Sequence, residues 1–217
     1  MNLSFSRRRP SGFTIIELLT VIAIIGVLAG IIFATLGHVR RNAQQTQSLA
    51  KLRQIGSATL LYAGDHRGGV PVWLNFTTNQ HWWRHLQTYL GADPQQFHSP
   101  AHEGFDASTN DRLIETISYG WNYPVLGRHI GDPSKEGDHS LIINDFANPS
   151  RTLIAADARD SSWGFIAADS PPAYGRYGDT IPSVFLDGHV SSRPSDEFRQ
   201  IDPWFNPVKA LPANKAN

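Results

Sequence analysis

From Phe13 to Phe33 the chain reads Phe-Thr-Ile-Ile-Glu-Leu-Leu-Thr-Val-Ile-Ala-Ile-Ile-Gly-Val-Leu-Ala-Gly-Ile-Ile-Phe, 21 residues with a single charge at Glu17. As a helix this run spans about 32 Å, enough to cross the hydrocarbon core of a bilayer. Arg7, Arg8 and Arg9 precede it, in a leader of twelve residues that contains no acid. Positive charge stays on the cytosolic side, so the reading places the N-terminus in the cytosol and the remainder outside. Two other readings fit parts of this pattern. A secretory signal peptide has an apolar stretch of about 7–15 residues closed by a small-x-small site, whereas this stretch is longer and has no Ala-x-Ala near its end. An ordinary anchor explains the length and the arginines but leaves an acid five residues into the run without a purpose.

The helix is expected to continue. Between His38 and Tyr62 the chain turns polar at helical spacing, with Leu49, Leu52, Ile55 and Tyr62 on one face and Arg40, Arg41, Gln44, Gln45, Lys51 and Arg53 largely elsewhere. No proline interrupts it before Pro71, and Gly64, Gly68 and Gly69 with that proline are read as its end. Beyond it, His81–Leu90 has the pattern of a short amphipathic helix closed by Gly91. Strand-like runs follow at Thr116–Tyr123, Ser140–Asn144, Thr152–Ala156 and Ser183–Leu186, separated by clusters of Gly, Pro, Asp and Asn. Asp187-Gly188 between Val-Phe-Leu and His-Val is the signal of a two-residue type I′ hairpin. The expected fold class is α+β: a long N-terminal helix, transmembrane then amphipathic, packed on a small antiparallel sheet. The expected divisions are a leader at 1–12, a transmembrane helix at 13–36, its amphipathic continuation at 37–65, an external α+β domain at 66–205 and a flexible tail at 206–217.

Composition narrows the chemistry. Nineteen basic residues balance nineteen acidic ones, so there is no basic signature of a nucleic-acid partner. With no cysteine, thiol nucleophiles, disulfide frameworks and Cys-ligated zinc are excluded. No Gly-x-Ser-x-Gly and no phosphate-binding glycine loop is present. His81 and His85 have an i,i+4 spacing compatible with ligation, but no His-Glu-x-x-His occurs; His98 and His102 share the spacing across Pro100, where a helix is disfavoured. Asp157, Asp179 and Asp187 could converge with His189 on a cation; the simpler reading gives the aspartates turn and strand-end roles. Trp82, Trp83, Trp121 and Trp163 are read as core. No catalytic residue and no cofactor is expected.

The motif Arg-Arg-Arg-Pro-Ser-Gly12 followed by Phe13-Thr-Ile-Ile-Glu17-Leu-Leu resembles the prepilin cleavage and N-methylation motif of type IV pilins and type II secretion pseudopilins. The resemblance implies cleavage after Gly12, methylation of the new amine at Phe13, and an assembly role for Glu17. The residues themselves agree. A carboxylate within a membrane helix needs a partner, and cleavage after Gly12 creates a cationic amine that a neighbouring subunit could offer to it. Gly26 and Gly30 form a Gly-x-x-x-Gly pair that permits close helix contact. Further on, Pro149-Ser150 leading into Asp157, and Val-Phe-Leu-Asp187-Gly188-His189, look like the C-terminal domain of a large pilin-like subfamily. Its members often carry a histidine where this chain has Tyr177, and Cys-Pro where it has Ser99-Pro100; many pilins have a proline near Ala34, which this chain lacks.

The resemblance implies a structural subunit of a type II secretion pseudopilus or pilus-like filament, not an enzyme, in the inner membrane with its C-terminal domain periplasmic or at the cell surface. The implied partners are prepilin peptidase/N-methyltransferase, copies of the chain and other pilin-like subunits, and an inner-membrane assembly platform. The alternative is a membrane-anchored envelope enzyme or ligand-binding protein that uses the helix only as an anchor.

Overall fold

A computed structural model describes residues 13–127, 129–131, 141–159, 163–167 and 170–199. Thus Gly12 and its leader, Ser140, and the stretch 206–217 expected as a tail lie outside the described residues. The chain divides into two compact units, Met1–Arg40 and Arg41–Asn217.

Helix α1 runs without interruption over Ile15–Asp65. In the first unit its side chains are almost all exposed, and they are the apolar ones. In the second unit the polar stretch buries one stripe, made of Ser48, Leu52, Ile55, Ala58, Thr59 and Ala63 together with Gly56. Spacings of three and four residues keep these positions on one helix face. The helix ends in a way the glycine pattern did not foretell. Gly64 is still helical, and the left-handed residue that stops the helix is Arg67, at φ 54°. Gly68 N–H donates back to the Ala63 carbonyl at 2.7 Å, which is the long closing bond of a Schellman motif. Arg67 therefore holds the position that usually goes to glycine.

The second unit carries two sheets. The larger has five strands in the order β6-β3-β5-β7-β8, with β3 Tyr119–Asn122, β5 Leu153–Asp157, β6 Phe165–Ile166, β7 Thr180–Phe185 and β8 Val190–Pro194. All neighbours are antiparallel except β3 and β6, which are parallel. The smaller sheet has the order β2-β1-β4, from β1 Leu74–Asn75, β2 Gln80–His81 and β4 His129–Ile130, with β1 and β4 parallel. The expected antiparallel sheet is thus a mixed one. Central β5 is buried along its whole length, which is why Leu-Ile-Ala-Ala reads as a continuous apolar run without alternation.

Three short helices complete the unit. α2 spans Trp82–Leu90 and stops at Gly91, whose φ is 88°. α3 spans Asn110–Thr116 and α4 Tyr123–Leu126. The strand expected at Thr116–Tyr123 is shorter than its β-branched residues suggest, because Thr109 caps α3 by accepting the Arg112 N–H at 3.1 Å and commits the residues up to Thr116 to a helix. Of the run expected at Ser140–Asn144, Ile143–Asp145 form a 3₁₀ turn and Ile142 makes an isolated bridge to Gly69. β7 begins at Thr180, before Pro182; β5 pairs only with Ser183–Phe185, so the proline lies beyond that ladder.

One core unites these elements. Trp82 stacks on Trp121 with centroids 5.0 Å apart and meets Phe97 and Trp83 edge-on. Leu52 and Ile55 of α1 and Leu153, Ile154, Ile181, Val184 and Phe185 of the sheet belong to the same cluster. Trp163 departs from the expectation of a core tryptophan: it is 52% exposed and has a left-handed backbone, φ 54°. Its carbonyl accepts the Trp73 indole N–H at 3.0 Å, so its backbone rather than its ring serves the fold. α1 meets the sheet at a glycine. A Cβ at Gly56 would stand 2.7 Å from Val184 Cγ2 and 3.5 Å from Gly188 Cα.

Candidate functional site

The chemistry of the N-terminal segment starts at its first helical turn. Thr14 precedes the helix. Its backbone N–H and its hydroxyl both donate to Glu17 Oε2 at 2.8 Å, and the Glu17 N–H donates back to Thr14 Oγ1 at 3.3 Å. This is the reciprocal pairing of a capping box, a Ser/Thr at the cap and a Glu three residues on. It occupies backbone donors that the start of any helix leaves unpaired. The Glu17 carboxylate therefore has a partner within its own chain as well as the neighbouring amine expected from the sequence. Thr14-x-x-Glu17 was the available signal, and it is easily missed inside an apolar run.

Phe13 is exposed immediately before this turn. From there to Val39 the large apolar side chains of the helix are all exposed. Gly26 and Gly30, one helical turn apart, lie in open space: a Cβ at either would meet nothing within 4 Å. α1 is long and apolar enough over this stretch to cross a membrane, by length and composition.

The distal aspartates are not brought together. Asp157 ends β5 with no exposed surface. Arg176 Nη1 donates to its Oδ1, and Ser99 Oγ (2.6 Å) and Ser48 Oγ (3.5 Å) donate to its Oδ2. Burial pushes the carboxyl up to about 6, against the pull of the Arg176 guanidinium and the two serine hydroxyls. The network widens through Ser48 to Tyr119 OH at 3.1 Å and through Ser99 to Tyr177 OH at 2.7 Å. Desolvation raises both phenols. Five segments distant in sequence thus close on one buried charge. Both carboxylate oxygens are taken by protein donors, so the arrangement is a joint rather than a proton-transfer site. Ser99 and Tyr177 are in direct contact here.

Asp179 is exposed at the start of β7, and Asp187 and His189 are exposed beyond its far end. A six-residue strand separates these sites by roughly 20 Å. Asp187 and His189 pair with each other: Asp187 Oδ1 accepts the His189 N–H at 3.1 Å and lies 2.6 Å from His189 Nδ1. The turn that holds them is not type I′, since only Gly188 has a positive φ, 87°. Gly188 N–H donates to the Phe185 carbonyl at 2.8 Å and Phe185 N–H to the His189 carbonyl at 3.0 Å. That is a three-residue loop with glycine at its left-handed bulge. Among the described residues, no group of three or more His, Asp and Glu is placed to hold a metal ion.

The paired histidines serve aromatic packing. His81 stacks on Trp83 at 4.5 Å, and desolvation lowers its pKa to about 4, so it is neutral near pH 7. His85 meets Tyr62 edge-on at 5.7 Å and is also shifted down by burial. His98 stacks on Phe105, and its Nε2 bonds the His102 carbonyl at 2.9 Å.

Comparison with protein families matches residues 7–33 to the family described as "Prokaryotic N-terminal methylation motif". The match covers the basic leader, Gly12, Phe13, Glu17, Gly26 and Gly30, and stops before the second compact unit. Neither curated proteins nor solved structures gave a match. The chain carries a prepilin-type motif that runs into an apolar helix suited to membrane anchoring, an arrangement consistent with a type IV pilin-like protein. Proteins with this motif are generally structural.

Proposed function

We propose that the chain is a structural subunit of a type II secretion pseudopilus or type IV pilus-like filament, cleaved between Gly12 and Phe13 by prepilin peptidase and methylated on the new amine. The observation that carries this reading is the motif over residues 7–33, joined to a helix segment whose large apolar side chains are exposed. In the inner membrane, with the N-terminus cytosolic and the second unit outside, that segment is in lipid. On transfer to a filament it exchanges lipid for the helices of other subunits. Lipid is as apolar as leucine, so packing and polar pairing, not the hydrophobic effect, must favour that exchange. Gly26 and Gly30 supply the close approach. The cationic Phe13 amine of one subunit supplies the counter-charge for Glu17 of the next. The partners are prepilin peptidase, further pilin-like subunits and an inner-membrane assembly platform. The divisions at 13–36, 37–65 and 66–205 follow from this topology.

N-terminal mass analysis of the protein extracted from a host with prepilin peptidase tests the processing step: a mature chain that begins with methylated Phe13 is expected, and one that begins at Met1 refutes it. Crosslinking in membranes tests assembly. Glu17→Ala is expected to shorten the ladder of crosslinked species while the chain's melting transition stays in place. Equal ladders would reduce Glu17 to a helix cap.

A further inference from the structure

On the second unit a small cleft of about 160 Å³ opens between the β1–β2 hairpin, α2 and the start of α3. Its lining includes Asn79, His81, Trp83, Arg84, Asn110 and Asp111. The assembly reading has no use for these groups. Three of them set its shape and polarity. His81 is stacked on Trp83 and its Nδ1 has no accessible surface, so the ring forms a wall of the cleft and not a hydrogen-bonding group within it. Asn79 is held in a left-handed backbone, φ 51°, in a hairpin loop pinned by the Asn75 side chain, which accepts the N–H groups of Thr77 and Thr78. Arg84 donates to two neutral amide oxygens, of Gln87 and Asn110, and forms no ion pair among the described residues.

The lining selects a ligand class. One guanidinium and one carboxylate, Arg84 and Asp111, sum to no net charge, and burial keeps His81 neutral. The Asn79 amide offers a donor and an acceptor, Asn110 adds the N–H groups beside the Oδ1 that Arg84 occupies, the guanidinium offers only donors, and the carboxylate only acceptors. A hydroxyl both donates and accepts, so a ring of hydroxyls complements this mixed, neutral set. A simple anion or cation would answer only one half of it. The volume is below the roughly 300–1,000 Å³ of clefts for drug-sized ligands, so the site takes one small ring. We propose that this cleft binds a single residue of a neutral carbohydrate through Asn79, Arg84, Asn110 and Asp111. The assembled subunit would then present a sugar-binding site on its globular unit.

The test uses the full chain in micelles of an amine-oxide detergent, which carries no sugar. Glucose, galactose, N-acetylglucosamine and, as a zwitterionic control, alanine are titrated separately, with tryptophan fluorescence and saturation-transfer NMR as readouts. Saturable binding of at least one of the sugars is expected, with Kd on the order of 1 mM, and alanine should give none. Asp111→Ala and Asn79→Gly, the second of which suits the left-handed backbone, should each weaken binding about tenfold without moving the melting transition. Three results would overturn the proposal: no saturation by any of the three sugars up to about 100 mM, equal affinity in wild type and both variants, or saturation by alanine alone.

Discussion

Gly56 gives the sharpest test of how α1 is seated. Replacing it with alanine puts two effects of opposite sign in competition. In a helix interior alanine is favoured over glycine by about 1 kcal/mol. The new methyl, however, would lie 2.7 Å from Val184 Cγ2, with the Gly188 backbone 3.5 Å away and no room to retreat. Val184 is fully buried and belongs to the core cluster; its branched side chain is stiff at χ1, so relief requires α1 to move off the sheet. Overpacking of this kind costs about 1–3 kcal/mol. Gly56→Ala should therefore destabilise by up to about 2 kcal/mol. Val184→Ala alone opens a cavity and should cost about 1–3 kcal/mol. In the double variant the new methyl occupies the space the valine gives up, so its loss should be smaller than the sum of the two by about 1–2 kcal/mol. Denaturant unfolding of the full chain in detergent, followed by tryptophan fluorescence, measures all three. Additive losses, or a Gly56→Ala variant more stable than wild type, would show that α1 is not pressed against β7 at this point.

Arg67→Gly should stabilise the chain by about 1 kcal/mol, because it relieves an L-residue held in the left-handed region at the end of α1; an unchanged unfolding midpoint would refute that C-cap. Two buried groups give opposite pH slopes. The folded-state pKa of His81, lowered from 6.5 to about 4, means that the unfolded chain binds the extra proton, so this contribution to stability is lost as pH falls from about 6.5 to 4. The folded-state pKa of Asp157, raised from 3.8 to about 6, means that the folded chain binds the extra proton, so stability falls as pH rises through that window. His81→Phe should expose the falling slope with rising pH and Asp157→Asn the opposite one, whatever their baselines; parallel curves from chemical denaturation at several pH values would refute both assignments.

The long helix and the prepilin-type motif could be read from the sequence because both are local: an unbroken apolar run, a basic leader ending in glycine, and a glutamate at fixed spacing. The Asp157 joint could not. Its members, Ser48, Ser99, Tyr119, Asp157 and Arg176, come from segments up to 128 positions apart, and none is unusual in its own neighbourhood. Local signals also misled where two competed. Thr116 and Ile117 favour strand by branching, yet the cap at Thr109 took Thr116 into α3. Asp187-Gly188 matches the commonest two-residue hairpin, but with Leu186 buried and its N–H donating to the Thr152 carbonyl at 2.9 Å, the turn includes a third residue. The two-residue strands β1, β2, β4 and β6 are too short for periodicity to register at all.

The polar stripe on the C-terminal part of α1 has a mechanical meaning. Gln44 reaches the Pro100 carbonyl at 3.1 Å, Gln45 reaches Thr180 and Ser192 at 2.7 and 2.8 Å, Ser48 meets Tyr119, and Lys51 holds the Gln95 and His98 carbonyls at 2.8 and 2.7 Å. These attachments are spread over two turns of helix and land on the sheet and on the segment 95–100 at once. A pull along the helix axis would load them side by side, in shear, so that they must yield together rather than one after another as in peeling. Tension along this part of α1 would reach the sheet and the segment 95–100 at several points at once.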